Sequence, residues 1–327
     1  MKRAITVLSV LLAAQLILAA GLWLGGRANG SAKPSRLVAV DASRVKQLII
    51  TGAKGDSLKL QRTADGWTLP GAGGFPAKSG QAKTLLSQLT AKERRVPVAR
   101  SDAARSRFHV TADDFERRVV LGDADSPQAT IYLGESAGAG RVYARNADSD
   151  DVYEVSFDLW QASAKPKDWF DKATARVDPA DVKQVDMPGF SLIRAKEGWK
   201  FAKARDGQEP DPGKAAELVT KLAGPDFTAV AKEKPPQGKP ELSYTITAKD
   251  GKQVTYHYYQ GTKDDSRILV REDQPWRYAV AAKQLAGVEK ADAKGLLADK
   301  SSGKGGKSGK SGDATAGTPG GKATGHS

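Results

Sequence analysis

The amino-acid sequence predicts an α+β protein, two tandem copies of a mostly antiparallel sheet-plus-helix domain set behind an N-terminal transmembrane helix. Three observations predict it. Val40-Asp-Ala-Ser-Arg-Val-Lys-Gln-Leu48 is written again as Val177-Asp-Pro-Ala-Asp-Val-Lys-Gln-Val185. Behind each of these stretches come short alternating apolar runs separated by hairpin-length turns. Ahead of both, Ala4 to Gly26 carries no charge.

The repeat extends past the nonamers. An acidic-Gly-Trp step follows each, Asp65-Gly66-Trp67 and Glu197-Gly198-Trp199. Leu85, Leu86 and Leu89 are answered by Leu218, Val219 and Leu222 at helical spacing, Arg141-Val-Tyr-Ala-Arg145 by Arg267-Ile-Leu-Val-Arg271, and Val152-Tyr-Glu-Val155 by Arg277-Tyr-Ala-Val280. An ordered series of matches marks an internal duplication. The offset falls from 137 at Asp41/Asp178 to 125 at Tyr153/Tyr278, so the second copy has lost about a dozen residues, expected in loops.

In the first copy, Val45–Thr51, Ser57–Arg62 and Gly66–Leu69 read as a three-stranded meander; Leu58 and Leu60 share one face, Lys59 and Gln61 the other. A helix is expected from Ser79 to Ala91, with Ser79 as N-cap and the leucines as its apolar stripe. Arg94–Ala99 and a polar link around Phe108 lead to a second strand set: Arg117–Leu121, Ala129–Leu133, Val142–Arg145 and Val152–Val155. Phe157 to Trp160 should begin a closing helix. The second copy repeats the plan with strands at Val182–Asp186, Ser191–Arg194 and Trp199–Phe201, and a helix from Asp211 to Ala223 with Asp211 as cap and Pro212 at its first position. Leu242–Thr247 and Gln253–Tyr259 follow, joined through Lys249-Asp-Gly-Lys252, a hairpin signal.

The expected division is 1–36 anchor and linker, 37–175 first copy, 176–299 second copy and 300–327 tail; two domains suit 327 residues. The apolar stretch is long enough to span about 30 Å of hydrocarbon. Lys2 and Arg3 should stay cytoplasmic, making this a single-pass inner-membrane protein with its body in the periplasm. A cleaved signal peptide is the competing reading, with Ala28-Asn29-Gly30 or Gly30-Ser31-Ala32 as cleavage site; h-regions of about 7–15 residues are shorter than this one. The tail, Lys300 to Ser327, is Gly, Ser, Lys and Thr and should be flexible.

Charge and cysteine content exclude more than they imply. Residues 1–36 hold five basic groups and no acid, and 300–327 five lysines against one acid, so the body keeps only +4 of the net +13. That near balance argues against a nucleic-acid partner. Without cysteine there is no disulfide framework, thiolate metal site, thiol nucleophile or lipid-bearing cysteine.

The apolar leader, the Asp65-Gly66-Trp67 step, the leucine-striped helix and the late Gly134…Arg141-Val-Tyr-Ala-Arg145…Val152-Tyr-Glu-Val155 run together resemble the domain-of-unknown-function family numbered 4340, over about residues 38–299. The resemblance implies a membrane-anchored envelope protein associated with the gliding-type ABC transporter, whose permease or auxiliary subunit would be its partner. This chain has no ATPase signature and would be an accessory. The family brings no established catalytic residue.

Chemical motifs are few. The three histidines, His109, His257 and His326, have no second His at metal-ligand spacing. There is no Gly-x-Ser-x-Gly elbow, and Gly306-Lys-Ser-Gly309 lacks the strand and helix that a phosphate loop needs. Asp113-Asp114 and Asp264-Asp265 read as solvated loop acids. The two tryptophans of the acidic-Gly-Trp steps read as core, with the glycines supplying turns of positive φ. No catalytic, cofactor-binding or metal-ligating residue is therefore assigned. The candidate interaction surface is the aromatic and basic run Tyr256, Tyr258, Tyr259, Arg267 and Arg271. The expected function is non-enzymatic: an exported accessory or binding protein of an envelope transport or assembly system. The alternative is an exported enzyme acting on a cell-wall or polysaccharide substrate in the cleft between the copies.

Overall fold

The structure is a computed structural model that describes residues 12–17, 35–91, 93, 96–123, 126–204, 208–231 and 238–298. Strands β1 (Gln47–Gly52), β2 (Ser57–Thr63), β3 (Gly66–Leu69), β4 (Phe75–Pro76), β5 (Arg117–Asp123), β6 (Ser126–Gly138), β7 (Arg141–Asn146) and β8 (Val152–Ser156) form one sheet, ordered β4-β3-β2-β1-β5-β6-β7-β8. Strands β9 (Val182–Met187), β10 (Phe190–Arg194), β11 (Trp199–Phe201), β12 (Ala229–Ala231), β13 (Leu242–Ala248), β14 (Gln253–Gln260), β15 (Ser266–Arg271) and β16 (Arg277–Ala281) form the other, ordered β11-β10-β9-β13-β14-β15-β16-β12. Every strand pairing is antiparallel. Helix α1 (Ser79–Leu89) lays Ala82, Leu85, Leu86 and Leu89 on the inner face of the first sheet. A later helix, Pro212–Ala223, does the same for the second with Ala215, Leu218, Val219 and Leu222.

The duplication holds down to single contacts. Asp41 accepts from Ser43 N as Asp178 does from Ala180 N. Arg62 lies over Trp67 across the β2/β3 ladder, and Arg194 over Trp199 across β10/β11, 5.0 and 4.4 Å from the ring centroids. Both tryptophans are buried, their acidic neighbours Asp65 and Glu197 are exposed, and Gly66 and Gly198 have φ of 128° and 74°. Those are conformations an L side chain resists. At Ala77/Phe170 and Pro210/Leu297 the second residue before each main helix bridges to the segment that follows that copy's last strand. The counterpart of β12 in the first copy is an isolated bridge, Ala99 to Val152 on the edge of β8.

Some expectations need correction. The cap of α1 is Lys78; Ser79 Oγ accepts from Trp67 N instead, tying the helix to β3. Asp211 caps the second copy's helix as expected, accepting from Lys214 N. The polar link around Phe108 contains a helix, α2 (Asp102–Arg107), capped by Ser101; the Pro212–Ala223 helix is accordingly α3. The closing helix after β8 is a short 3-10 turn, Leu159–Ala162.

The arginine correspondence slips by one residue. In the ladders Ala144 faces Tyr153 as Leu269 faces Tyr278, so the offset on these strands is 125 and Arg145 matches Val270. Because side chains alternate across a sheet, Arg145 and Arg271 lie on opposite faces.

The anchor assigned to residues 4–26 falls mostly outside the described residues. Within it Leu12–Ile17 are helical, with Leu12, Leu16 and Ile17 exposed. Among the described residues no helix is long and apolar enough to cross a membrane. The tail, 300–327, also lies outside them.

One continuous apolar core runs through both sheets. At their junction Phe75, fully buried on β4, meets Phe170, Phe227, Trp276 and Tyr278 edge-on at centroid distances of 5.3, 5.7, 5.0 and 6.1 Å. Lys172 covers the Phe227 ring and pairs with Asp226, which Arg176 also approaches.

Candidate functional site

Each sheet has an inner face under its helix and an outer face, and the outer faces differ. In the first copy the stretch between Ala99 and β5 folds back over it. Phe108 stacks on Tyr143 with centroids 3.9 Å apart, Phe115 approaches Tyr132, and Val110 is fully buried. Arg145, itself buried, lies over Tyr132 and donates to the carbonyl oxygens of Val110, Asn146, Ala147 and Ser149. Burial pulls its guanidinium pKa down, and Arg105 adds to that. The covering segment passes so close to β6 at Gly134 that a Cβ there would lie 1.9 Å from Phe108 O. His109 turns the chain at a φ of 53° and binds Asp114 at 2.8 Å. The Asp114 hydrogen bond, then its charge, raises the His109 pKa.

In the second copy the corresponding positions are hydroxyls and an imidazole. The β13/β14 register sets Ser243 opposite His257 and Thr245 opposite Thr255. His257 Nδ1 meets Ser243 Oγ at 2.8 Å, its Nε2 meets Glu272 Oε1 at 2.9 Å, and the two threonine hydroxyls lie 3.2 Å apart. The His257 hydrogen bond holds the Glu272 carboxyl below its ordinary pKa. Ser243, Thr245, Thr255, His257 and Tyr259 are each half-buried. Neither sequence position nor spacing pointed to Ser243 and Glu272. The antiparallel register alone brings them to His257.

This row of side chains can donate and accept hydrogen bonds to a ligand lying on the sheet. It also has the composition of a serine, histidine and acid relay. Ser243, however, sits mid-sheet and not on a turn that would aim its hydroxyl beside backbone N–H donors for an oxyanion. Two concavities of this copy lie elsewhere. One, of about 390 Å³, separates α3 from the C-terminal segment at Lys214, Leu218, Lys221, Lys290 and Leu296; another, of about 530 Å³, is lined by Asp186, Phe190, Phe201 and Gln208. Among the described residues no three His, Asp or Glu converge as metal ligands would.

The predicted interaction surface must be corrected. Tyr256, Tyr258 and Arg271 are buried on the inner face, 0%, 5% and 6% exposed. Tyr256 OH donates to Ala175 O, Tyr278 OH to Thr174 O, and Arg271 Nη1 to Thr174 O and Arg176 O, so these groups clamp the linker between the copies. Asp273 receives Arg271 at 2.6 and 3.0 Å; burial alone would raise its carboxyl pKa, but the bonds from Arg271 and Lys252 hold it low. Burial pushes the Tyr258 hydroxyl up to about 12 and raises Tyr244, Tyr256 and Tyr278 as well. Tyr259 remains on the outer face, and Arg267, half-buried, pairs with Glu241. The parity was legible: Tyr256 and Tyr258 share a face with Val254, and His257 and Tyr259 do not.

No curated protein and no solved structure matches the chain. A family described as a domain of unknown function, DUF4340, matches residues 67–244, from β3 of the first copy through the linker to β13 of the second. The match covers more than half of the 327 residues and straddles the junction of the two sheets, and this chain belongs to the DUF4340 family.

Proposed function

We propose that this chain is a non-enzymatic binding protein, anchored in the inner membrane through residues 4–26 with its body in the periplasm, and accessory to an ABC-type transport or envelope assembly system. It engages its partner with the outer face of the second sheet. The observation that carries this reading is the contrast between the outer faces: the first is roofed by its own chain, while the second presents Ser243, Thr245, Thr255, His257 and Tyr259 half-exposed in register. The uncharged stretch behind Lys2 and Arg3 supports the anchor and its direction. The test is photo-crosslinking in native membranes from residues placed at Thr245 and Tyr259, with Lys83 on α1 as control. A transporter permease or auxiliary subunit captured at the first two positions and not at Lys83 is expected. Recovery of monomer alone from all three would remove the reading's support.

The Ser243, His257 and Glu272 chain favours a second reading, an exported hydrolase of a cell-wall or polysaccharide substrate. It would act on the outer face and not in the cleft between the copies, where buried aromatic rings fill the junction. If the full chain releases soluble fragments from purified wall polymer, Ser243→Ala should abolish the release. Release that survives this substitution rules out Ser243 as nucleophile.

A further inference from the structure

The pseudo-equivalence of the copies assigns a role to an edge that is more apolar and more exposed in the first copy than in the second. In the second copy the linker enters at Lys172–Val177 with Ala175 buried, held by Tyr278 OH on Thr174 O, and the body of the first copy arrives with it. There Phe75 and Phe170 pack against Phe227, beside β12, and Phe75 also meets Trp276 and Tyr278 of the β16 edge. In the first copy the chain enters the same way at Ser35–Val40. Leu37 and Val38 are buried, 6% and 3% exposed, and Ser35 Oγ hydrogen-bonds the hydroxyl of Tyr153, the residue equivalent to Tyr278. No folded body precedes this segment among the described residues. The edge beside this entrance, Val96 to Ala99 along β8, leaves Val96 58% and Val98 49% exposed. Val96 stands where the second copy has the exposed, polar Thr228, and Val98 where it has the half-buried Val230. Arg36 is exposed at the same entrance.

What precedes Ser35 is the uncharged stretch ending at Gly26. The nine residue steps from Gly26 to Ser35 reach at most about 30 Å even when fully extended. We propose that this edge is a membrane-contact surface: Val96 and Val98 rest in the headgroup region of the anionic periplasmic leaflet, which faces the body, with Arg36 on lipid phosphate. The proposal rests on the anchor reading given above. Exposed side chains of this size insert shallowly, and the single tether raises their effective concentration at the bilayer.

The absence of cysteine makes the test clean, because one introduced thiol is the only label site. Single-cysteine full-length chains, Val96→Cys, Val98→Cys, Ala19→Cys and Lys263→Cys, are labelled with an environment-sensitive fluorophore. They are then reconstituted in phosphatidylglycerol-containing nanodiscs with nitroxide-labelled lipids. The expected result is blue-shifted emission and loss of about half the intensity at 96 and 98 with a headgroup-region nitroxide, strong quenching at 19 by an acyl-chain nitroxide, and no change at 263. Quenching at 19 without any at 96 and 98 overturns this proposal and leaves the anchor standing. No quenching at 19 overturns both. Circular dichroism of each labelled chain establishes that it is folded, and Arg36→Glu in the Val98→Cys chain should reduce the quenching at 98.

Discussion

Over Tyr132 in the first copy lie Phe115, Arg145 and the segment carrying α2; at the matching place in the second stands His257, held by Ser243 and Glu272. Seven strands of each sheet pair in the same order, β3-β2-β1-β5-β6-β7-β8 and β11-β10-β9-β13-β14-β15-β16, and a helix lies on the inner face of each. The dozen or so residues separating the copies were removed mainly in two places. The β1/β2 turn at Gly52–Asp56 shrinks to Pro188-Gly189, taking the offset from 137 to 132 at Trp67/Trp199, and the shorter stretch ahead of β13 takes it to 125. Duplication thus preserved the buried face, where each side chain must fit its neighbours, and spent its freedom on loops. The arginines carry the same lesson. Shifted by one residue, Arg145 braces a roof on the outside of its sheet, and Arg271 braces the inter-copy linker on the inside.

Substitutions can break this comparison in a graded way. Phe75→Ala removes the ring shared by both copies and should cost about 3–5 kcal/mol. Because the core is continuous, urea unfolding should stay a single transition at lower midpoint; a split into two transitions would show that the copies fold separately. Arg271→Met should cost about 3 kcal/mol by leaving Asp273 with Lys252 alone and Arg176 O without its guanidinium donor, and should raise amide exchange at 174–177. Arg145→Met, by contrast, should cost about 1–3 kcal/mol and raise exchange only between 99 and 116. Gly134→Ala forces the roof off β6 for about 1–3 kcal/mol and should open residues 101–116 to protease while leaving the second copy protected.

The smallest effect belongs to His109. Its folded-state pKa is raised, so whatever the Asp114 contact contributes is fully present below the ordinary value of about 6.5 and is lost as pH rises through the folded value. An NMR titration of the imidazole should place His109 above 6.5, and Asp114→Asn should bring it back.

Much of the fold was legible because it is carried by core residues with strict periods. The strand alternation in Ser57–Arg62, the leucine stripe of α1 and the Asp211-Pro212 start of α3 each specify one local structure and correspond to what is seen. Helix α2 was hidden because Asp102–Arg107 buries no residue, leaving no apolar period to read. The relay was hidden for a different reason. Ser243, His257 and Glu272 are distant in sequence and meet only through strand register, which turn signals suggest but do not number. Tyr256 and Tyr258 were misassigned by weighing residue type over parity, and hydroxyl groups on the inner face found backbone carbonyls instead of solvent.

The contact centred on Phe75 joins unlike surfaces, the β4 edge of one copy to the β16 end of the next. Head-to-tail contacts of that kind have no built-in stopping point, and a third unit added by the same rule would extend a filament. Gln208 is exposed where the second copy would need its own Phe75, so an amide stands there in place of an aromatic ring.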